Sequence, residues 1–459
     1  MGLRQLLILG VLAALACAIM ALPVPEGRSP DVLAVMAIML LTVGIWATGA
    51  LPEYLGSLIF FVLAMMSSIA PPEVVFSGFT STAFWLVFGG VIMGSAAEQT
   101  GLGAYLGSQF LRRVGGSYPR LIVGIVAGAA ALAFLIPTAM GRLILLLPII
   151  FGLAGKLGFE SGSNGRRGMV IALVLGSIFI PLTILPANVP NAILAGAAES
   201  LHGVSITYGI YLLMNFPVTG VLKSVVMVGL ILLIYPARAP ETGDLDPVEE
   251  RLSKEGRRLA WILLVTLIVW ATDFLHGIAP GWVAMASAVV CLLPGIGVLP
   301  ADRFRSSINI EVLLYIAGVL GLGNVIASSG TGSLIADNLL AYANFSPESP
   351  AWTYAVFSGA GMVMQFFATL PGTIVILAPF ADSVAAASGL PVITVLMMLV
   401  NSFTTVFFPY QTAPILIGVR LGGLAVVDAV RIMVPLAIIS IITLLPLNYF
   451  WWKLLGYIP

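Results

Sequence analysis

The chain has 459 residues, of which 60% are hydrophobic and only 9% charged, with a formal net charge of zero; its mean hydropathy is +1.09. No soluble globular domain has that composition, and apolar runs of spanning length recur from end to end, so the chain reads as a polytopic membrane protein with little mass outside the bilayer. The zero net charge is uninformative about partners; the position of each Lys and Arg is what informs, and no nucleic-acid partner is expected. Cys17 and Cys291 both lie in apolar runs, which suggests neither a disulfide framework nor a thiolate metal site.

Residues 1–30 hold a first span. Arg4 precedes the apolar run Leu6 to Leu22, which is long for the core of a secretory signal and suits a membrane helix. Further spans are predicted near 31–50, 53–70 and 82–99, followed by a basic amphipathic stretch around 103–115. The next apolar run, Leu121 to Lys156, is broken in the middle by Pro137, Thr138, Gly141 and Arg142. As one helix it would be about 50 Å long, against a hydrocarbon core of about 30 Å. Arg112, Arg113 and Arg120 flank it on one side, Lys156, Arg166 and Arg167 on the other. Both ends therefore face the cytoplasm, and an odd number of crossings is excluded. The economical solution is a re-entrant helical hairpin over 121–155 with its tip near Thr138. Irregular backbone at that depth is tolerated only where it lines a cavity or is buried in protein.

An interrupted span follows at 169–200, broken by Pro181, Pro186, Asn188, Pro190 and Asn191, and then an unbroken one at 205–236. The polar stretch 237–258 carries Arg238, Arg251, Lys254, Arg257 and Arg258 and reads as a cytoplasmic linker between a first repeat, 31–236, and a second, 259–459. Gly89-Gly90-Val91 and Gly101-Leu102-Gly103 are echoed by Ala317-Gly318-Val319 and Gly330-Thr331-Gly332. Pro52 has a counterpart in Pro280. The broken hairpin returns over about 353–388, with Thr369 to Pro379 spaced like Thr138 to Pro148. An interrupted span returns over 391–419, broken at Phe407 to Ile415, and a last span is expected at 427–457. Paired interruptions at matching places in two halves point to a transporter's binding site.

Orientation follows from the basic residues. With the N-terminus in the cytoplasm, four spans return the chain inside at Arg112. Arg303, Arg305 and Arg420 also fall inside, whereas 330–352 and 388–391 hold no Lys or Arg. The second hairpin then opens outward, the C-terminus is external, and the repeats are inverted with their tips near the midplane. The predicted fold is all-α: two inverted-topology repeats with about eleven membrane-spanning helices and two re-entrant hairpins.

Arg142 lies four residues past the first tip, about 6 Å along the helix, where neither interface is easily reached. An intramembrane charge of this kind faces a cavity or a partner. It is either an anchor for an anionic substrate or a structural pair with a carboxylate or backbone carbonyls, and the helix amino terminus beside it favours the anchor. Thr138 and Thr369 sit at the two tips, where free N–H groups and a hydroxyl can bind an oxyanion or merely cap the helix. Ala139 follows Thr138. Asn188 and Asn191, between prolines, offer amide donors and carbonyl acceptors at the first break. Gln411 and Thr412 occupy the matching break beside Tyr410. Gln365 and Asn401 are read as interhelical hydrogen-bonding residues. Glu98 and Asp382, near opposite faces, are weaker candidates for a coupling proton. No nucleophile–base set, metal-ligand cluster or phosphate-binding loop occurs, so enzymatic chemistry is not expected.

With both repeats in view, the chain from about residue 30 onward resembles the divalent anion/sodium symporter family. Its members carry a Ser-Asn-Thr signature at each tip and a Thr-Pro-Pro-Asn type of break. Here the tips align as Thr138-Ala139-Met140 and Thr369-Leu370-Pro371, the breaks as Asn188-Val189-Pro190-Asn191 and Thr412-Ala413-Pro414-Ile415. Ala139, Leu370 and Ile415 replace signature asparagines at positions that build the family's two sodium sites. Arg142 is similar to an arginine just after the signature in the exchanger branch, and Tyr410-Gln411-Thr412 to a Tyr-Gln-Thr of sulfate-transporting relatives. The resemblance implies a homodimeric elevator, with Na+ as a coupling ion near Thr138, Asn188 and Asn191 and no other cofactor. The expected function is secondary transport of a di- or tricarboxylate or sulfate across the inner membrane, by symport or exchange. The alternatives are proton coupling, an uncoupled channel, or a non-transporting sensor.

Overall fold

The computed structural model describes residues 2–24, 27, 29, 31–112, 117–136, 138–238, 252–295, 297–332 and 343–459. Pro137 and Arg113, and residues 239–251 of the linker, lie outside them. The described residues form helices and connecting turns, with no strand among them. Helix α1 (Leu3–Met20) packs on α2 (Asp31–Thr48) and otherwise presents an apolar surface, as a lipid-facing helix does. Helices α3 (Glu53–Met66) and α4 (Thr82–Gln99) complete the first scaffold group, and the amphipathic α5 (Leu102–Arg112) follows. Their counterparts are α11 (Lys254–Ala271), α12 (Pro280–Leu292) and α13 (Ile310–Ser328). Helix α11 begins inside the expected linker because the Ser253 hydroxyl caps it, accepting from the Gly256 N–H.

The two scaffold groups exchange partners. Helix α4 packs on α12, and α13 packs on α3. A Cβ on Gly89 of α4 would overlap the carbonyl of Ala284 on α12, and one on Gly318 of α13 would overlap Ser57 on α3. Glycines that mark the repeat in the sequence thus lie where a helix of one half closely approaches a helix of the other.

The first hairpin is α6 (Tyr118–Ala133) and α7 (Ala139–Lys156); the second is α14 (Pro350–Met364), then α15 (Leu370–Leu377) and α16 (Ala381–Ser388). Their matched prolines behave differently. Pro148 lies inside the continuous α7, whereas Pro379 falls in a 3-10 turn, Ala378–Phe380, that separates α15 from α16. Proline removes one helical N–H bond and disfavours straight continuation. Beside Pro379 the Ala378 carbonyl accepts from the Ala381 N–H and also meets His202 Nε2 at 2.8 Å.

Each hairpin packs on the broken helix of its own half: α6 on α8 (Asn164–Phe179), which resumes as α9 (Val189–His202), and α14 on α17 (Val392–Thr404), which resumes as α18 (Ala413–Leu421). Between halves, α9 packs on α15 and α18 on α7. The last helix of each repeat, α10 (Tyr208–Ile234) and α19 (Val426–Leu454), runs unbroken. Both contain a π-helical segment, Phe216–Leu222 and Ser440–Leu444, and these two segments touch. By length and composition eight helices among the described residues can cross a membrane: α1, α2, α7, α8 extended to Thr183, α10, α13, the stretch Leu370–Ser388 of α15 and α16, and α19. This is a polytopic, all-α membrane protein.

Candidate functional site between the hairpin tips and the helix breaks

Thr138, Asn188, Thr369 and Thr412 are the N-cap residues of α7, α9, α15 and α18 respectively. All four are half-buried. The two tip hydroxyls are engaged as caps, Thr138 Oγ1 accepting from the Gly141 N–H at 3.2 Å and Thr369 Oγ1 from the Gly372 N–H at 3.4 Å. Asn188 and Thr412 make no side-chain cap bond, so the first-turn N–H groups of α9 and α18 stay open to a ligand. Pro190 and Pro414 at the second helical position have no N–H to offer, and the Ile415 N–H already donates to Thr412 O at 3.1 Å, which leaves Val189 and Asn191 in α9 and Ala413 in α18. Ala139, in the first turn of α7, is buried.

Arg142 is 0% exposed. One guanidinium nitrogen donates to the Ile136 carbonyl in the tip loop, the other to Ser177 O at 2.8 Å, and both lie 3.4 Å from Ala187 O. Nε has no partner. Of the two roles left open by the sequence, the geometry is that of a cation held by backbone carbonyls at the broken end of α8. It ties the tip, the end of α8 and the start of α9 together.

Asn191 is also fully buried, and its Nδ2 donates to Pro181 O and Ile184 O at 2.8 and 2.7 Å. It thereby fixes the two 3-10 turns of the first break. Its Oδ1, and Ser177 Oγ near the end of α8, are buried with no protein partner. In the second half Gln411, 1% exposed, accepts from the Phe407 and Phe408 N–H groups at 2.7 Å each and donates to Gln365 O at 3.2 Å. Tyr410 is 57% exposed and stacks on Phe408. Gln365 and Asn401 are buried; Asn401 sits in a chain of bonds with Ser358 and Asn448 that joins α14, α17 and α19. Glu98 is exposed. Asp382 is bonded to His202 Nδ1 at 2.7 Å, which clamps the second hairpin to the end of α9.

One residue that sequence reading passed over belongs with these. Lys223 on α10 is only 3% exposed, donates to the Thr404 carbonyl at the end of α17, and lies over the Phe179 ring at 5.0 Å. A lysine in the apolar run around 205–236 was itself the available signal, because an intramembrane charge is a functional candidate by default. Among the described residues neither Arg142 nor Lys223 has a carboxylate partner.

These side chains divide the helix ends by sign. Carbonyls at the ends of α8 and α17, the negative ends of the helix dipoles, are neutralised by the chain's own cations. The amino termini of α7, α9, α15 and α18, the positive ends, are left unneutralised. Each such amino terminus favours a negative charge.

A family model for the transmembrane region of sodium:sulfate symporters matches residues 3–458. The chain belongs to that family. It is 23% identical to the sodium-dependent dicarboxylate transporter SdcS of Staphylococcus saprophyticus, over 70% of this chain and 68% of the relative. To the L-tartrate/succinate antiporter of Escherichia coli it is also 23% identical, over 82% of this chain and 79% of the relative. The crystal structure of the Alcanivorax borkumensis YdaH transporter shares its fold, with a TM-score of 0.56 at 13% identity, covering 94% of this chain and 99% of that one. The protein is a multi-pass membrane transporter of small anions and not an enzyme. Sodium is the coupling ion that the family membership fits, with no other cofactor indicated.

Proposed function

We propose that the protein carries a small divalent anion, a C4-type dicarboxylate or sulfate, across the bacterial inner membrane by secondary transport. The observation that carries this reading is the pairing of four open or capped helix amino termini with buried cations that quench the opposing carbonyl ends. The anion sits between Thr138, Asn188, Thr369 and Thr412, held by first-turn N–H groups of α7, α9, α15 and α18. Arg142 contributes from behind the first tip: it supplies positive potential and holds Ala139 and the Asn188 break in place. Gln411 does the corresponding holding in the second half.

Sodium, where it is used, is taken on the first-half side by Asn191 Oδ1 and Ser177 Oγ, buried oxygens that lack a protein partner. The Arg142 guanidinium, bonded to the Ser177 carbonyl, opposes a second cation there by Coulomb repulsion. A bound dianion offsets both, so cation and anion would enter together. Movement is of the elevator kind: the hairpins and broken helices form the moving unit, the scaffold helices α2–α4 and α11–α13 form the static one, and two copies of the chain associate. The N-terminus lies in the cytoplasm and the C-terminus outside.

The test is uptake of labelled succinate and sulfate into liposomes, with sodium or choline outside and with or without substrate inside. Sodium-stimulated accumulation supports symport; dependence on internal substrate supports exchange. Uptake of neither anion under any of these conditions, or an ohmic conductance in their place, removes the reading.

A further inference from the structure

Lys223 is a cation in the middle of the membrane that no carboxylate among the described residues balances. It lies eleven residues before the end of α10 at Ile234, which is about 16 Å of helix and so near half the depth of a hydrocarbon core of about 30 Å. At 3% exposure its ammonium does not reach either interface. Its two neighbours are the last residues of two helices that stop in mid-membrane: Thr404 ends α17 and Phe179 ends α8. The Thr404 carbonyl accepts its proton, and the Phe179 ring faces it at 5.0 Å. Both are cation-seeking groups, one a helix carboxyl end and the other an aromatic face.

A serine or threonine hydroxyl would satisfy one orphaned carbonyl without burying a charge, as Thr219 Oγ1 does for Asn215 O in the same helix. A buried ammonium costs several kcal/mol more than a hydroxyl, so the charge itself has a use. The placement is also one-sided. Counting from the paired π-helical segments, the residue of α19 that corresponds to Lys223 is Leu447. The first broken helix receives its cation from the hairpin, through Arg142 on Ser177 O, and the second receives it from α10.

We propose that Lys223 is a tethered cation: it occupies the end of α17 where a dissociable cation would otherwise be needed, and gives the anion site a covalently anchored positive charge on its second-half side. The idea rests on the anion-transport reading above. It deepens that reading by making the second-half side independent of any bound ion, so that a dissociable coupling cation is confined to the first-half side. Lys223 is a positioning residue, acting through the field and through the α17 end, and it does not touch the anion.

The experiment uses the purified full chain in detergent and reads the shift in melting temperature on titration with succinate and with sulfate. Each titration is run in choline chloride, in sodium chloride and in lithium chloride. Lys223→Met in choline is expected to bind anion about tenfold more weakly than the wild type, equivalent to about 1.4 kcal/mol. Sodium or lithium should restore much of that loss by filling the vacated place at the Thr404 carbonyl. Lys223→Arg, which keeps the charge, should bind in choline like the wild type. Unchanged affinity of Lys223→Met in choline overturns the proposal, as does a loss in folded Lys223→Met that neither alkali cation relieves. If Lys223→Met is not recovered folded, a folded Lys223→Arg that has lost anion binding in choline overturns it equally. A wild type that no anion stabilises in any salt strikes the transport reading, a separate outcome visible before any variant is made.

Discussion

Arg142 and Gln411 fasten the two hairpin tips by the same device with the roles exchanged. In the first half the long polar side chain stands on the hairpin and reaches the Ala187 carbonyl of the break. In the second it stands on the break and reaches the Gln365 carbonyl of the hairpin tip. In each case a buried donor satisfies a carbonyl that a mid-membrane loop would otherwise leave orphaned, at about 1–3 kcal/mol per group.

Arg142→Ala should therefore cost stability as well as uptake. Three carbonyls lose their charged donor at once, and the melting temperature of the purified variant should fall by several degrees or more, with uptake abolished. Arg142→Lys keeps the charge but reaches fewer carbonyls, so it should lie between the wild type and Arg142→Ala in both measurements. An Arg142→Ala variant with wild-type melting temperature and wild-type uptake would show the guanidinium to be dispensable.

Gln411→Glu separates holding from charge. A carboxylate still accepts from the Phe407 and Phe408 N–H groups but cannot donate to Gln365 O, and it adds a negative charge beside the anion site. The variant should fold and lose anion uptake by about tenfold or more, the worth of about 1.4 kcal/mol. Gln411→Leu, which leaves both N–H groups and one carbonyl unpaired, should instead lose stability first. Circular dichroism melts and liposome uptake on the two variants check this.

The pseudo-symmetric close approaches predict matched damage. Gly89→Leu and Gly318→Leu each force a side chain into the opposite half's backbone or side chain, an overpacking cost of about 1–3 kcal/mol or more. Both should lower the yield of monodisperse protein to a similar degree. Gly10→Leu, where nothing lies within 4 Å of an added Cβ, should not.

The His202–Asp382 bond should govern the outer face of the second hairpin alone. His202→Ala releases both the Asp382 carboxylate and the Ala378 carbonyl. Hydrogen exchange should then accelerate over Ala378–Ser388 and stay unchanged over Ala139–Lys156. Equal acceleration in both hairpins would mean that the two are held as one unit.

Inverted orientation predicts opposite labelling. Cysteines introduced at Gly162, after the first hairpin, and at Glu348, before the second, should react with an impermeant maleimide from opposite sides of the membrane in a Cys17→Ala, Cys291→Ala background. Reaction of both from the same side would exclude the inverted arrangement.

Much of this molecule was legible along the chain because its determinants are local. Apolar run length sets the spans. The Pro and Asn residues between Pro181 and Asn191 mark a break wherever the chain folds, because proline cannot donate the helical bond. The Thr138 and Thr369 caps lie three residues from the N–H groups they satisfy, well within reach of a pattern. What Arg142, Gln411 and Lys223 do was decided only by the tertiary structure, because each reaches a carbonyl brought from elsewhere in the chain. Ser177 and Ala187 lie 35 and 45 residues from Arg142, and Thr404 lies 181 residues from Lys223. A backbone carbonyl has no signature in a sequence; which one is left orphaned, and which cation meets it, depends on where two helices happen to stop in the membrane.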